Sequence, residues 1–158
     1  MDKLTLYMET SIPSFLLAEP SRDLVATGRQ EITRAWWKRD HARFEVFVSQ
    51  TVLDEAQKGS RSAARKRCEF LEPFQILATT HEVDQLAGLY VHEHIVPAQK
   101  LGDALHLALA SIYHVDFLCT WNLKHIANAF AIRRLRALNE EQGLFTPEIC
   151  TPEQLLGE

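Results

Sequence analysis

The run DALHLALASIY, residues 103–113, constrains the fold more than any other stretch of the sequence. Gly102 precedes it, and it reads as a helix that is apolar on nearly every face. Such a helix has to be buried between layers of structure. It nevertheless opens with Asp103, and a buried helix start rarely carries an unpaired carboxylate without a task for it.

Around this run, strand-like and helix-like segments alternate. Leu4–Met8 and Phe44–Ser49 are rich in β-formers, and residues 75–79, 116–120 and 147–151 are shorter candidates, the last as an edge strand. Between them lie helical stretches. Residues 12–17 begin a helix or turn with Pro13 in its first turn, and 22–41 form a long helix with Ser21 as its N-cap. Val25, Ile32, Ala35 and Trp36 are expected to form the apolar stripe of that helix. Trp37 falls off the stripe, which leaves it exposed, at a partner surface, or packed against a neighbouring helix. Thr51 is expected to cap a short helix through residue 57 that Lys58-Gly59 ends. Further helices are expected at 60–71, 81–94 and 123–138, the first of them basic and amphipathic.

This alternation predicts one domain, residues 1–158, with a three-layer α/β/α fold. Its centre is a parallel sheet of four to five short strands flanked by helices. Composition closes off other classes. No apolar run approaches the roughly 20 residues that cross a bilayer, and Met1-Asp2-Lys3 is unlike a secretory leader, so the cytoplasm is expected. Cys68, Cys119 and Cys150 are odd in number and lack C-x-x-C spacing, which argues against a disulfide framework and a zinc ribbon. A formal net charge of −4 gives no general attraction to nucleic acid. Two local clusters, Arg61/Arg65/Lys66/Arg67 and Arg133/Arg134/Arg136, read either as solvated helix faces or as surfaces facing phosphate.

Open parallel sheets bind ligands beyond the carboxyl ends of their strands, at the point where strand order reverses. Glu9, Thr10 and Ser11 follow the first strand, and Ser49 ends the second, with Asp54 and Glu55 beyond it. Thr120-Trp121-Asn122 follows the fourth. With Asp103, these positions could bring carboxylates into one crevice. Clustered carboxylates repel and raise one another's pKa unless a cation neutralises them. Mg²⁺ or Mn²⁺ suits oxygen ligands of this kind.

The ordered set "YMETS", "VSQTVLDEA", "GDALHLALA" and "LCTWNLKH" resembles the PIN domain, a metal-dependent ribonuclease fold that includes VapC-type toxins. The resemblance spans most of residues 4–126. It places Glu9 where the family usually has an aspartate, matches Glu55 and Asp103 to its second and third acids, and puts Asn122 in the place of its fourth. Asp54 and Glu55 point about 100° apart on a helix, so only one faces the crevice, and the resemblance selects Glu55. It implies a catalytic set of Glu9, Glu55, Asp103 and Asn122, with the first three holding Mg²⁺ or Mn²⁺. The implied reaction is RNA hydrolysis to 5′-phosphate and 3′-hydroxyl ends. A homodimer and a small antitoxin are the implied partners. Ser11, Thr120, His106 and His125 are expected to flank the site, the histidines either at the site or as packing residues. Arg61, Arg65, Lys66, Arg133 and Arg134 are candidates for tracking RNA. His92 and His94 point apart on a helix and lack a third zinc-spaced ligand. The departures at Glu9 and Asn122 motivate a rival reading, a binding module that does not cleave. A nucleotide-binding fold is a weaker rival, because Ile12-Pro13-Ser14 stands where a Gly-rich phosphate loop would be.

Overall fold

Successive residues of a strand face opposite sides of a sheet, yet Leu6, Tyr7 and Met8 are all fully buried. Both faces of the sheet are therefore covered, as a parallel sheet requires. The computed structural model describes residues 2–157. Its strands are β1 (Leu4–Met8), β2 (Phe44–Ser49), β3 (Gln75–Leu77), β4 (Phe117–Cys119) and β5 (Glu148–Cys150). They form one parallel sheet in the order β3-β2-β1-β4-β5. The helices are α1 (Ser11–Leu17), α2 (Leu24–Asp40), α3 (Gln50–Ala56), α4 (Arg61–Leu71), α5 (His81–His92), α6 (Leu101–Ile112), α7 (Ala129–Glu141) and α8 (Pro152–Leu155). The expected α/β layering is present, with the sheet flanked by helices.

The chain builds β1, β2 and β3 outward in one direction, then returns to add β4 on the other side of β1. Strand order reverses between β1 and β4, so the carboxyl ends of these two strands define the ligand-binding crevice. Their register is pinned at the opposite end by Asp116. Its Oδ2 accepts from Thr5 N at 2.9 Å and Thr5 Oγ1 at 3.0 Å, while Asp116 N donates to Thr5 Oγ1 at 2.8 Å. Leu6 consequently faces Phe117.

The apolar run of residues 103–113 is α6, with Ala104 and His106 through Ser111 buried. It packs against α5. Cys119 is a buried free thiol, as expected of a small core residue. No described helix is long and apolar enough to cross a membrane.

Several local expectations are corrected. Asp23, not Ser21, caps α2, its Oδ1 accepting from Val25 N at 3.2 Å. The apolar stripe assigned to α2 holds only in part: Trp36 is fully buried and Ile32 packs against the core, but Ala35 is exposed and Val25 is 59% exposed, and Gln30, Thr33 and Asp40 complete the buried face. Gln30 and Thr33 are tolerated there because they are bonded, whereas Asp40 pairs through Oδ1 with Arg43 at 3.5 Å and its Oδ2 has no hydrogen-bond partner among the described residues. Gln30 Nε2 donates to Glu19 O at 2.9 Å, and Thr33 Oγ1 accepts from Trp121 Nε1 at 2.8 Å. Trp37 takes the packing option, with ring centroids 5.1 Å from Phe70 and 5.8 Å from Phe74. Ser49 rather than Thr51 caps α3, accepting from Val52 N at 3.3 Å. Gly59, at φ +90°, supplies the left-handed turn that separates α3 from α4. The helix expected over 123–138 starts only at Ala129, because Asn128 Oδ1 caps Phe130 N and Ala131 N. Residues 123–127 form turns and a bend instead.

Candidate active site

Glu9 is the first residue beyond β1. Its N–H still donates to Cys119 O at 3.2 Å, extending the β1–β4 pairing by one step before the chain turns into α1. The side chain is almost wholly buried. Glu9 Oε2 accepts from Ser11 N at 2.8 Å and from Thr120 Oγ1 at 3.0 Å. Thr120 immediately follows β4, so the two strands at the reversal point hold one carboxylate between them. Ser11 also accepts from Trp121 N at 2.8 Å, tying α1 to the loop after β4. Burial holds the Glu9 carboxyl above the usual carboxylate value, and the charge of His106 and the donors Ser11 and Thr120 offset that only in part.

Glu55 comes from the last turn of α3 and is held by a buried relay. His106 Nε2 lies 2.5 Å from Glu55 Oε1, and Thr10 Oγ1 donates to the same oxygen at 3.1 Å. On its other side, His106 Nδ1 lies 2.6 Å from Tyr7 Oη, which lies 2.7 Å from Ser49 Oγ. His106 projects from α6, Tyr7 from β1 and Ser49 from the end of β2. Burial opposes the charged form of His106. The bond to Glu55 and the negative charges of Glu9, Glu55 and Asp103 outweigh it and raise the imidazole above its ordinary value. Glu55 moves the other way. Burial pushes its carboxyl up, but the bond and charge of His106, with Thr10 and Lys58, bring it below the usual range. These shifts favour an imidazolium that donates Nε2–H to Glu55 and Nδ1–H to Tyr7, whose phenol in turn donates to Ser49.

Asp103 lies in the first turn of α6, half-buried, and shares with Glu55 a cavity of about 370 Å³. Lys58 and Lys100 also line it. A Cβ on Gly102 would stand 3.8 Å from Glu55 Oε2, so the Glu55 carboxylate rests directly against the start of α6. Asp54 faces the same cavity but is occupied by Gln50 Nε2 at 2.9 Å.

Asn122 is spent differently. Its Oδ1 accepts from His125 N at 3.0 Å, and its own N–H donates to Thr120 Oγ1 at 2.9 Å. The side-chain oxygen thus closes the turn that follows β4. Among the candidates for tracking RNA, Arg65 pairs with Glu69 and Lys66 with Glu19, each at 3.3 Å on the exposed surface. Arg61 lines a shallow surface cavity beside them, Arg133 is exposed, and Arg134 lines a cavity together with His125.

The sequence places Glu9 and Glu55 beyond strand ends and Asp103 at the start of the buried helix; in the structure Glu55 contacts His106 and shares a cavity with Asp103, while Glu9 is bonded to Ser11 and Thr120. Oxygen donors at the mouth of a dry crevice fit a hard divalent cation in kind, and Glu9 has no salt-bridge partner among the described residues. In arrangement, Glu55 is turned onto His106. Among the described residues, no three His, Cys, Asp or Glu side chains stand together as a ready-made metal cluster. Sequence reasoning gave no role to Tyr7, Lys58 and Lys100, and named Thr10 and Ser49 only as positions at the strand ends. The hydroxyl of Tyr7 near the carboxyl end of β1 was the signal available for the first.

No protein-family model matches the sequence, and no curated protein matches it. Solved structures do. A chain of the VapBC2 complex from Rickettsia felis, bound to a DNA fragment from their promoter, aligns with a TM-score of 0.56 at 11% identity. The alignment covers 94% of this chain and 98% of that one. VapC20 of Mycobacterium tuberculosis, a toxin that cleaves the sarcin-ricin loop, aligns with a TM-score of 0.53 at 16% identity, covering 72% of this chain and 87% of its own. At such identities the likeness is one of architecture, and it agrees with the strand order and layering described above: the chain has the PIN-domain, VapC-type α/β fold.

Proposed function

We propose that this protein is a metal-dependent endoribonuclease that hydrolyses RNA phosphodiester bonds, and that it serves as the toxin of a toxin–antitoxin pair. The observation that carries the reading is the placement of Glu9 at the end of the central strand beside the strand-order reversal, with Glu55 bonded to the buried His106 and sharing a cavity with Asp103. The fold it shares with VapC20, a toxin that cleaves the sarcin-ricin loop, supports RNA as the substrate class. A cognate antitoxin and a homodimeric assembly complete the proposal, the former supported by the fold shared with a chain of the VapBC2 complex.

Mg²⁺ or Mn²⁺ held by Glu9, Glu55 and Asp103 would neutralise phosphate charge and favour ionisation of an attacking water. The protein's own contribution is position. Ser11 and Thr120 fix one oxygen of Glu9. The relay Ser49–Tyr7–His106 fixes the rotamer of Glu55 from three elements, so little reorganisation is left for the moment of reaction. Lys58 and Lys100 put positive charge in the Glu55/Asp103 cavity, where a phosphodiester would enter. Water attacks phosphorus in line and the 3′ oxygen leaves, giving 5′-phosphate and 3′-hydroxyl ends.

The test is incubation of purified protein with single-stranded RNA in Mg²⁺, in Mn²⁺ and in EDTA, with the product ends mapped. Cleavage that needs the divalent ion and leaves 5′-phosphates supports the reading, and cleavage that survives chelation contradicts it. A second reading, a binding module without catalysis, is favoured by the turn of Glu55 onto His106 and the use of Asn122 Oδ1 by His125 N. RNA binding with no cleavage under any divalent ion selects it.

A further inference from the structure

Outside the carboxylate crevice, one cavity combines depth with unspent positive charge. It has a volume of about 320 Å³ and is lined by His94, Lys124, His125 and Arg134, with Asn128 and Ala131 from the start of α7. No carboxylate lines it. Among the described residues, none of the four basic side chains enters a salt bridge. This contrasts with α4, where Arg65 and Lys66 are both paired with glutamates. In a chain of net charge −4, a carboxylate-free concavity with two permanent cations is a local reversal of sign.

The groups come from separate parts of the fold. His94 follows α5, Lys124 and His125 sit in the turns after β4, and Arg134 lies on the second turn of α7. The α7 terminus is itself capped by Asn128, so the donors on offer are the side chains. A short bonded path links His125 of this cavity to Glu9. His125 N donates to Asn122 Oδ1, Asn122 N to Thr120 Oγ1, and Thr120 Oγ1 to Glu9 Oε2, at 3.0, 2.9 and 3.0 Å.

We propose that this cavity is a phosphate subsite, in which Lys124, Arg134, His94 and His125 hold a backbone phosphate of a single-stranded RNA whose neighbouring phosphodiester lies at Glu9. The assignment rests on the ribonuclease reading for the identity of the strand, whereas the anion chemistry follows from the cavity itself. Arg134 binds a phosphate through its planar fork and Lys124 as a point charge.

The test is binding of a short single-stranded RNA in EDTA, measured by fluorescence anisotropy over a range of salt concentrations. The proteins compared are wild type, Lys124→Gln/Arg134→Gln, the charge-conserving Lys124→Arg/Arg134→Lys, and Arg65→Gln/Lys66→Gln. Each phosphate contact to a single strand contributes about 0.7 to the slope of log K against log salt. Loss of that one phosphate contact should therefore make the slope shallower by about 0.7, while the charge-conserving variant keeps it and loss of Arg65 and Lys66, both paired with glutamates, alters it less. An unchanged slope in Lys124→Gln/Arg134→Gln, with its melting temperature intact, overturns the proposal. Sodium phosphate provides the second arm. If it stabilises wild type but not that variant while RNA binding is equal in both, the cavity takes a free anion and the strand assignment is wrong. The outcome is separable from the ribonuclease reading, because a protein that never cleaves can still show the slope change, and a nuclease can lack it.

Discussion

Glu9 is a nearly buried carboxylate that accepts two hydrogen bonds and has no salt-bridge partner among the described residues. Its raised pKa means that ionisation is easier in the unfolded chain than in the folded one. Its contribution is therefore most favourable below the ordinary glutamate value and is lost as pH rises through the folded value. Glu9→Gln should accordingly raise the melting temperature of the metal-free protein at neutral pH, and the gain should vanish in acid. Adding Mn²⁺ should reverse the order, stabilising wild type and leaving the variant unmoved. Calorimetry with and without the ion reads both, and a variant that melts lower without metal would refute this view of Glu9. His106 is a positioning residue, since it touches Glu55 and Tyr7 rather than substrate. Partners that orient metal ligands are typically worth about 10–100-fold in affinity or activity. We expect a loss of that size in kcat for His106→Gln and a smaller one for Tyr7→Phe, with KM for RNA changed little. A full rate in His106→Gln would remove the relay from the account.

Among elements, β1 and β4 matter most, because their shared end is the site and their other end is locked by Asp116 on Thr5. Asp116→Ala strands Thr5 N–H and should cost about 1.5–3 kcal/mol, the worth of hydrogen bonds to a charged group. Chemical denaturation measures it, and a cost near zero would show that the sheet register is set elsewhere. The same scale shows what the sequence made legible. β1, β2 and α6 stand close to their expected places, because β-rich runs and an all-apolar helix are strong local signals. The buried face of α2 was not legible. Gln30, Thr33 and Asp40 line it, and the burial of the first two depends on an acceptor at Glu19 and a donor at Trp121 that no periodicity reveals. Residues 123–128 failed for a similar reason, since Asn122 and Asn128 compete with the helix for backbone N–H groups. In the candidate site, the carboxylates could be named from strand ends, whereas the Ser49–Tyr7–His106 relay needed the fold to bring 7, 49 and 106 together.

At the scale of the whole molecule, the strand order β3-β2-β1-β4-β5 brings acids far apart in sequence to the same end of the sheet, with Glu55 and Asp103 in one cavity. Glu9 ends the central strand, Glu55 follows its neighbour on one side, and Asp103 opens the buried helix that leads into the strand on the other. The acids sit on separate elements of the sheet and helices, so loss of one charge should disable chemistry without unfolding the chain. The most direct measurement is the cleavage rate of single-stranded RNA in Mn²⁺ by wild type and by Asp103→Asn, an exchange that keeps the shape and removes the charge. The account predicts a loss of at least about 100-fold, a barrier increase of about 2.7 kcal/mol or more, with the melting temperature little changed. Equal rates for the two proteins would contradict it.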